Sequence, residues 1–390
     1  MNGLLCVLML VGGLAMGSTA HAQENNPLLV SYIEWSSDGD KILIALQEGG
    51  LYIVDPIAQT VLLELSGSDT GPIEDAALQP NGSLIATVHR FTGLSLWNKH
   101  TGSLVSPLSN VMFPWQVEWS SDGQYLFASN IDEMYMRDAS GNPLFLIPGA
   151  PEDIPNVAFN PSGEMLLLSF SAKIEVWDVT LQQMLVRTLA GGLLQSIQWS
   201  ADGTTFVAAN INNTLEGTFH NIVVINPMTG ERLRVYSGFL NQLTSAQWSP
   251  DETQILATSV DGTVYLIEVA SGSITPIFTT DAPILSADWS PYGGQIAIGA
   301  PLSSEMVQAI DSNEPNFAEL PVQIVVPDVS LERFQTIAES CGADQLVGEI
   351  ITDAALSTVI AQLESATAAQ IPPACAADLI AIAEALNNTQ

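Results

Sequence analysis

The sequence predicts an all-β chain, a seven-bladed β-propeller of four-stranded blades, followed by a small α-helical C-terminal unit. Three observations predict it. A turn whose fullest form is W-S-x-D-G recurs in seven copies, three of them literal, at a spacing near forty residues. An apolar run ending in an acid or amide follows each copy by about twenty residues. After Pro327 the apolar spacing changes from strand-like to helical.

The first element reads as an address. Residues 1–22, MNGLLCVLMLVGGLAMGSTAHA, carry an apolar stretch from Leu4 to Met16 and then Ala20-His21-Ala22. A short apolar region followed by small-x-small is the pattern of a secretory signal peptide. The expectation is cleavage near Ala22 and a secreted, periplasmic or cell-surface mature protein. The 13 residues from Leu4 to Met16 fall short of the roughly 20 that a membrane-spanning helix needs. No later segment is longer and apolar enough, so no transmembrane segment is expected after cleavage.

The repeats are expected to fill residues 23–321. The turn begins at Trp35, Leu78, Trp119, Phe159, Trp199, Trp248 and Trp289, in steps of 43, 41, 40, 40, 49 and 41. The second landmark ends at Asp55, Asn98, Asp138, Asp178, Asn226, Glu268 and Asp311. The one long step comes from extra residues within Asn210 to Asn221 of the fifth copy. In copy six, short β-forming runs end at Trp248 and span 254–259, 263–269 and 273–278, separated by Pro-Asp-Glu, Val-Asp-Gly and Ala-Ser-Gly turns. Four strands per forty residues is the period of a propeller blade. One such sheet cannot bury both faces alone, whereas seven arranged radially can. Within W-S-x-D-G the Trp is read as an interblade core residue and Asp-Gly as a tight turn. Asn81 and Ser162 stand where other copies have Asp, so the carboxylate is read as dispensable and not catalytic.

The period, the W-S-x-D-G turn and the run ending in Trp177-Asp178 resemble the WD-repeat β-propeller family, in a degenerate, secreted, bacterial-type form. The resemblance spans roughly residues 28 to 320. Only one copy has a literal Trp-Asp, and the Gly-His pair common in the family is missing. The resemblance implies that turns after the first and third strands share one face, and loops after the second and fourth share the other. The first set is repetitive, which suits a structural task. The second set is varied, and variable loops on a rigid scaffold are where binding concentrates. The candidate binding face comprises His89, Arg90, Phe91, Trp115, Asp132, Glu133, Glu216, His220 and Phe239.

Residues 322–329 read as a linker and 330–390 as the helical unit, with Asn316 to Val326 as the alternative source of the strand that closes the ring, since little chain precedes the first strand after cleavage. Phe334, Ile337, Ala338 and Cys341 fall at helical spacing, as do Leu356, Val359, Ile360 and Leu363, and Leu379, Ile382, Ala383 and Leu386. Three amphipathic helices are expected, serving as a compact cap or as a docking module. Cleavage leaves Cys341 and Cys375, an even count that suggests a disulfide in an exported chain, with two free thiols as the alternative.

Composition excludes some functions. The chain has 42 acidic and 9 basic residues, a formal net charge of −33, which opposes binding to phosphate-rich nucleic acid or anionic lipid. There is no G-x-S-x-G elbow, H-E-x-x-H pair, phosphate loop or complete calcium loop, so no cofactor or metal is expected. The leading expectation is an exported, non-enzymatic scaffold that binds a protein or other extracytoplasmic ligand through its variable face. The alternatives are a secreted hydrolase or lyase with a central carboxylate cluster, with calcium as a candidate ion, and a purely structural surface component.

Overall fold

The computed structural model describes residues 30–46, 50–56, 58, 60–65, 73–89, 93–108, 114–130, 133–147, 156–170, 173–214, 217–300, 322–326, 331–341, 343, 360, 363 and 371–388. The leader at 1–22 lies outside them.

Seven antiparallel sheets form a propeller ring. Their inner strands are Val30–Trp35, Ile73–Leu78, Pro114–Trp119, Asn156–Phe159, Leu193–Trp199, Leu243–Trp248 and Ala287–Trp289. Six sheets have four strands in sequence order. The middle strands are sandwiched between neighbouring blades, so runs such as Ile42–Leu46 are buried on both faces. Outer strands alternate, as in Thr60–Leu65, because one face meets solvent.

The core therefore lies between blades. One cluster joins Ala158, Leu167 and Val176 of blade four to Trp199, Phe206 and Val223 of blade five. The repeat Trp sits at this boundary. The indole N–H groups of Trp119 and Trp199 donate to the carbonyls of Ala77 and Ala158 in the preceding blade, at 3.2 and 3.0 Å. The turn that follows is built by its Ser. The Ser36, Ser120, Ser200 and Ser249 hydroxyls donate to Asp38, Asp122, Asp202 and Asp251 at 2.6–2.7 Å. Each also accepts a backbone N–H five residues on, which closes the hairpin. In blade four Asn160 does both tasks through its amide, with Ser162 as its partner. Gly39, Gly123, Gly163 and Gly203 follow with φ of 67–75°, a conformation that disfavours side chains.

Blade seven departs from the expectation. The position beside its second strand, assigned to the run ending at Asp311, is occupied by Gln323–Val325, paired as Ile296↔Val325 and Ile298↔Gln323. Asp311 lies outside the described residues. Part of the stretch read as linker is thus propeller, because Val322 and Ile324 are apolar and pack into the seam with Val30, Ile33 and Trp35 of blade one.

Helices α1 (Leu331–Ser340) and α2 (Pro373–Asn388) pack through Phe334, Ile337, Ala338, Leu379 and Ile382. Of the expected middle helix only Ile360 and Leu363 are described, both helical, with Leu363 buried. A disulfide joins Cys341 to Cys375, with Cα atoms 6.3 Å apart. No described helix is long and apolar enough to cross a membrane.

Trp119→Ala should lower unfolding free energy by about 3–5 kcal/mol, the range for emptying a large core site. Asp122→Asn should cost less than about 1 kcal/mol, because one oxygen takes both turn bonds and an amide retains that oxygen. Urea titration of the two variants measures both.

Candidate functional site

Two regions are set apart by geometry: the loop face of blades five and six, and the central channel.

The second and third strands of blade five, Phe206–Thr214 and Gly217–Ile225, run nine residues each, against three to six in the other blades. They pair out to Thr214↔Gly217. The extra length raises a hairpin about 10 Å above the face, at about 3.3 Å per residue. Beside it, apolar side chains are held in solvent. Leu240 is 89% exposed, Leu189 69% and Phe219 45%, with Leu193 and Val260 at 38%. Each sits where a loop after a second or fourth strand leaves or enters a sheet, or on the hairpin itself.

These loops are pinned. Arg232 donates twice to the Ala190 carbonyl, at 3.0 and 2.8 Å, fixing the bend between Leu189 and Leu193. The Val260 N–H and the Ser259 hydroxyl both donate to the Gln242 carbonyl, at 3.0 and 3.1 Å. The Gln242 amide reaches Gln195 at 3.1 Å, and Asn241 donates to Asp261 at 2.8 Å. The leucines thus stand on a braced surface. Ordering a loop on binding costs affinity, and this bracing reduces that cost.

The residues expected on this face divide. Trp115 is exposed at 39% on the inner strand of blade three. Glu133 is exposed; its N–H donates to Asn130 at 2.7 Å and its carboxylate accepts from the Tyr135 hydroxyl. His220 is half-buried at the root of the hairpin, opposite Phe239. His89 and Phe239 are interior, and their rings do not present at the face. His89 is 1% exposed and bonds Thr87 at 2.8 Å, which also accepts from the Trp97 indole at 2.7 Å. Phe239 meets Tyr265 edge-to-face at 5.4 Å inside the interblade core. Arg90, Phe91, Asp132 and Glu216 lie outside the described residues. Sequence reasoning passed over Leu189, Leu193, Leu240 and Val260. Their trace was apolar residues at loop positions, where polar ones are the rule.

The channel encloses about 590 Å³ and is lined by inner-strand residues, among them Tyr32, Glu34, Glu118, Ser196, Gln198 and Asp288. Side chains there reach across to the next blade. Glu34 accepts the Leu78 N–H at 2.9 Å, Gln198 the Trp248 N–H at 2.6 Å and Asp288 the Trp35 N–H at 2.7 Å. A second tier repeats the pattern. Asp75 accepts the Val117 N–H at 3.0 Å, Ser196 the Ala246 N–H at 2.9 Å and Ser286 the Ile33 N–H at 3.1 Å. These carboxylates bind the ring's own backbone. Among the described residues, no three His, Cys, Asp or Glu side chains stand close enough to hold a metal.

Burial in the channel wall pushes Asp75 and Asp288 up to about 7. It pushes Glu118 up to about 8, with repulsion from Asp75 adding to the rise. Glu34 is also raised, by burial first and then by Glu118 and Asp288, against the lowering effect of the Leu78 N–H. A carboxyl raised in the folded state stabilises fully below its unfolded value, near 4, and loses that contribution as pH rises through the folded value. Turn acids act in the opposite sense. Asp202 is lowered by the Ser200 hydroxyl and the Thr204 N–H, so its contribution is lost only as pH falls below about 4. Between pH 5 and 8.5 the channel acids dominate. The melting temperature, read by calorimetry, should fall across that range, and Asp75→Asn with Asp288→Asn should flatten the profile.

The family described as "WD domain, G-beta repeat" matches residues 230–268. That span covers the outer strand of blade five and the first three strands of blade six. A curated relative, "Eukaryotic translation initiation factor 3 subunit I" of Emericella nidulans, is 23% identical over 290 residues, 74% of this chain and 76% of its own length. It is eukaryotic, so the bacterial-type expectation finds no support in it. Among solved structures, the β-propeller domain of Cps50 (Swd1) from Myceliophteria thermophila is similar with a TM-score of 0.61 and 13% identity, over 71% of this chain and 94% of that one. At that identity the likeness concerns the fold alone. The matched repeat and the seven-bladed ring together fit a WD-repeat propeller.

Proposed function

We propose that this protein is an exported protein-interaction scaffold that takes its partner on the loop face of blades five and six. The observation that carries the reading is the set of exposed leucines on braced loops beside the raised hairpin. Large apolar side chains held in solvent on a rigid surface favour burial against a partner. The comparisons support a binding role, since the curated relative is by name a subunit of a larger factor. The opposite face is partly occupied, because α2 meets the Gly39 and Gly294 turns there. Export is supported by the apolar leader and by the disulfide between the two remaining cysteines. The channel acids do not favour an enzyme, because Glu34, Asp75 and Asp288 are engaged with backbone N–H groups.

Leu193→Ser combined with Leu240→Ser should reduce capture of partner proteins about tenfold or more, given the size of interface hot spots. Quantitative mass spectrometry on cross-linked exported proteins reads the loss, and the melting temperature should stay unchanged. Leu181→Ser is the control. That residue is 65% exposed on the turn face, and its loss should leave capture intact. Equal capture by all three proteins would remove the assignment of this face.

A further inference from the structure

In blades one, three, five and six the turn carboxylates share two kinds of donor. They are the hydroxyl of the preceding Ser and the backbone N–H two residues on, at Asp40, Gln124, Thr204 and Thr253, and both bond one oxygen. Blade seven has no such acid. Its turn reads Trp289-Ser290-Pro291-Tyr292-Gly293. Both donors are nevertheless satisfied, by one oxygen of Asp378 in α2. Ser290 Oγ donates to Asp378 Oδ2 at 2.8 Å and the Gly294 N–H to the same atom at 3.1 Å. The Gln295 amide donates to Oδ1 at 3.0 Å. Asp378 is 1% exposed.

The fit is close. A Cβ on Gly294 would stand 2.5 Å from the Asp378 Cβ. The φ of Gly294 lies outside the left-handed range, so glycine is needed there for space alone. One helical turn earlier, Ala374 faces blade one, and a Cβ on Gly39 would stand 2.3 Å from its Cβ. Ala374 and Asp378 are four residues apart and share a helix face. That face touches the first turn of the last blade and the first turn of the first blade. Tyr292, which replaces the turn acid, packs against the helical core.

The junction under α2 is the seam of the ring. Trp119 and Trp199 bond the preceding blade through their indole N–H groups. The Trp35 indole N–H, at the junction of blades seven and one, has no partner among the described residues, a lack it shares with Trp248 and Trp289 at two other junctions. We infer that α2 is the clasp of the ring: Asp378 supplies from elsewhere in the chain the turn carboxylate that blade seven lacks, while Ala374 holds blade one.

Hydrogen exchange of the full chain, read by mass spectrometry, tests this. In Asp378→Ala, peptides covering Ile33 and Trp35, whose N–H groups bond Ser286 and Asp288 across the seam, should exchange about tenfold faster. Peptides covering Val117, Ala246 and Trp248, at other junctions, should keep their rates. Tyr292→Asp with Asp378→Ala returns a carboxylate to the turn without returning the helix. Turn 290–295 should regain protection while the seam stays fast. Recovery of the seam along with the turn would reduce Asp378 to a local cap and overturn the clasp. Unchanged seam exchange in Asp378→Ala would overturn it too. Should that variant fail to fold, Gly294→Ala displaces the helix by bulk and gives the same readout: a fast seam supports the clasp, and an unchanged seam refutes it.

Discussion

The ring depends on side chains of one inner strand accepting backbone N–H groups of the next. An inner strand has a sheet partner on one side only. Its other edge faces the neighbouring blade, which is splayed too far for strand pairing. Buried N–H groups on that edge cost about 1–3 kcal/mol each when unmet. Here Glu34, Asp75, Gln198 and Asp288 meet them, with Ser196 and Ser286. The acceptors form two tiers, one position and three positions before the repeat Trp. The arrangement accounts for carboxylates in a confined channel of a folded protein. They are retained as acceptors, and their raised proton affinity follows from the same enclosure. An amide or hydroxyl at the equivalent place performs the same bond without the charge.

The two faces divide the work along the same lines. On the turn face blades one, three, five and six solve the same problem with Ser and Asp, blade four with Asn160 and Ser162, and blade seven with Ser290 and Asp378. Links such as Gln79 to the Gly123 carbonyl, and Glu252 to the Ala201 N–H, tie neighbouring turns together. Glu252 has φ 57° where other blades have glycine, a strained conformation that its bond to blade five helps to hold. On the loop face the polar residues brace backbone, as Arg232 braces the Ala190 carbonyl, and leave apolar groups outward. Spending polar side chains on loop geometry while exposing leucine leaves those leucines to be covered by something else.

Much of this was legible in the sequence, for reasons specific to particular residues. The turn keeps a large apolar residue at the blade boundary and, in six of seven copies, a glycine after it, so period and blade count could be read directly. Glu34 and Glu118 each open a copy of EWSSDG, at residues 34–39 and 118–123. Their identity does not repeat, since Ala77, Ala158, Gln198, Gln247 and Asp288 take that place. Only Glu34, Gln198 and Asp288 are shown accepting a neighbouring blade's N–H from that place, and a bond made at some junctions by different residue types leaves no repeated letter. His89 and Phe239 looked like loop residues because they end strands; burial at a strand end depends on the neighbouring blade, which sequence order does not reveal. The third strand of blade seven was assigned to the run ending at Asp311 because that run carried the expected landmark; Gln323–Val325 lies within the stretch 316–326 offered as the ring-closing strand, but apolar character alone did not set its place in the sheet.

Asp378 was invisible for a different reason. On helix spacing alone it is one acid on an amphipathic helix, and its role exists only opposite Ser290. The two substitutions make sense as a pair. Were Tyr292 an aspartate, two carboxylates would compete for one hydroxyl and one N–H in a buried site, and their repulsion would expel the helix. With Tyr at that place, an apolar ring enters the helical core and the hydroxyl is left needing an acceptor. Either change alone is unfavourable, one leaving a buried donor unmet and the other a buried charge unpaired. Together they turn a defective repeat into a socket for one particular helix. The loss of the turn acid in the last repeat is thus a consequence of what docks there, and the missing carboxylate marks the socket of the helix.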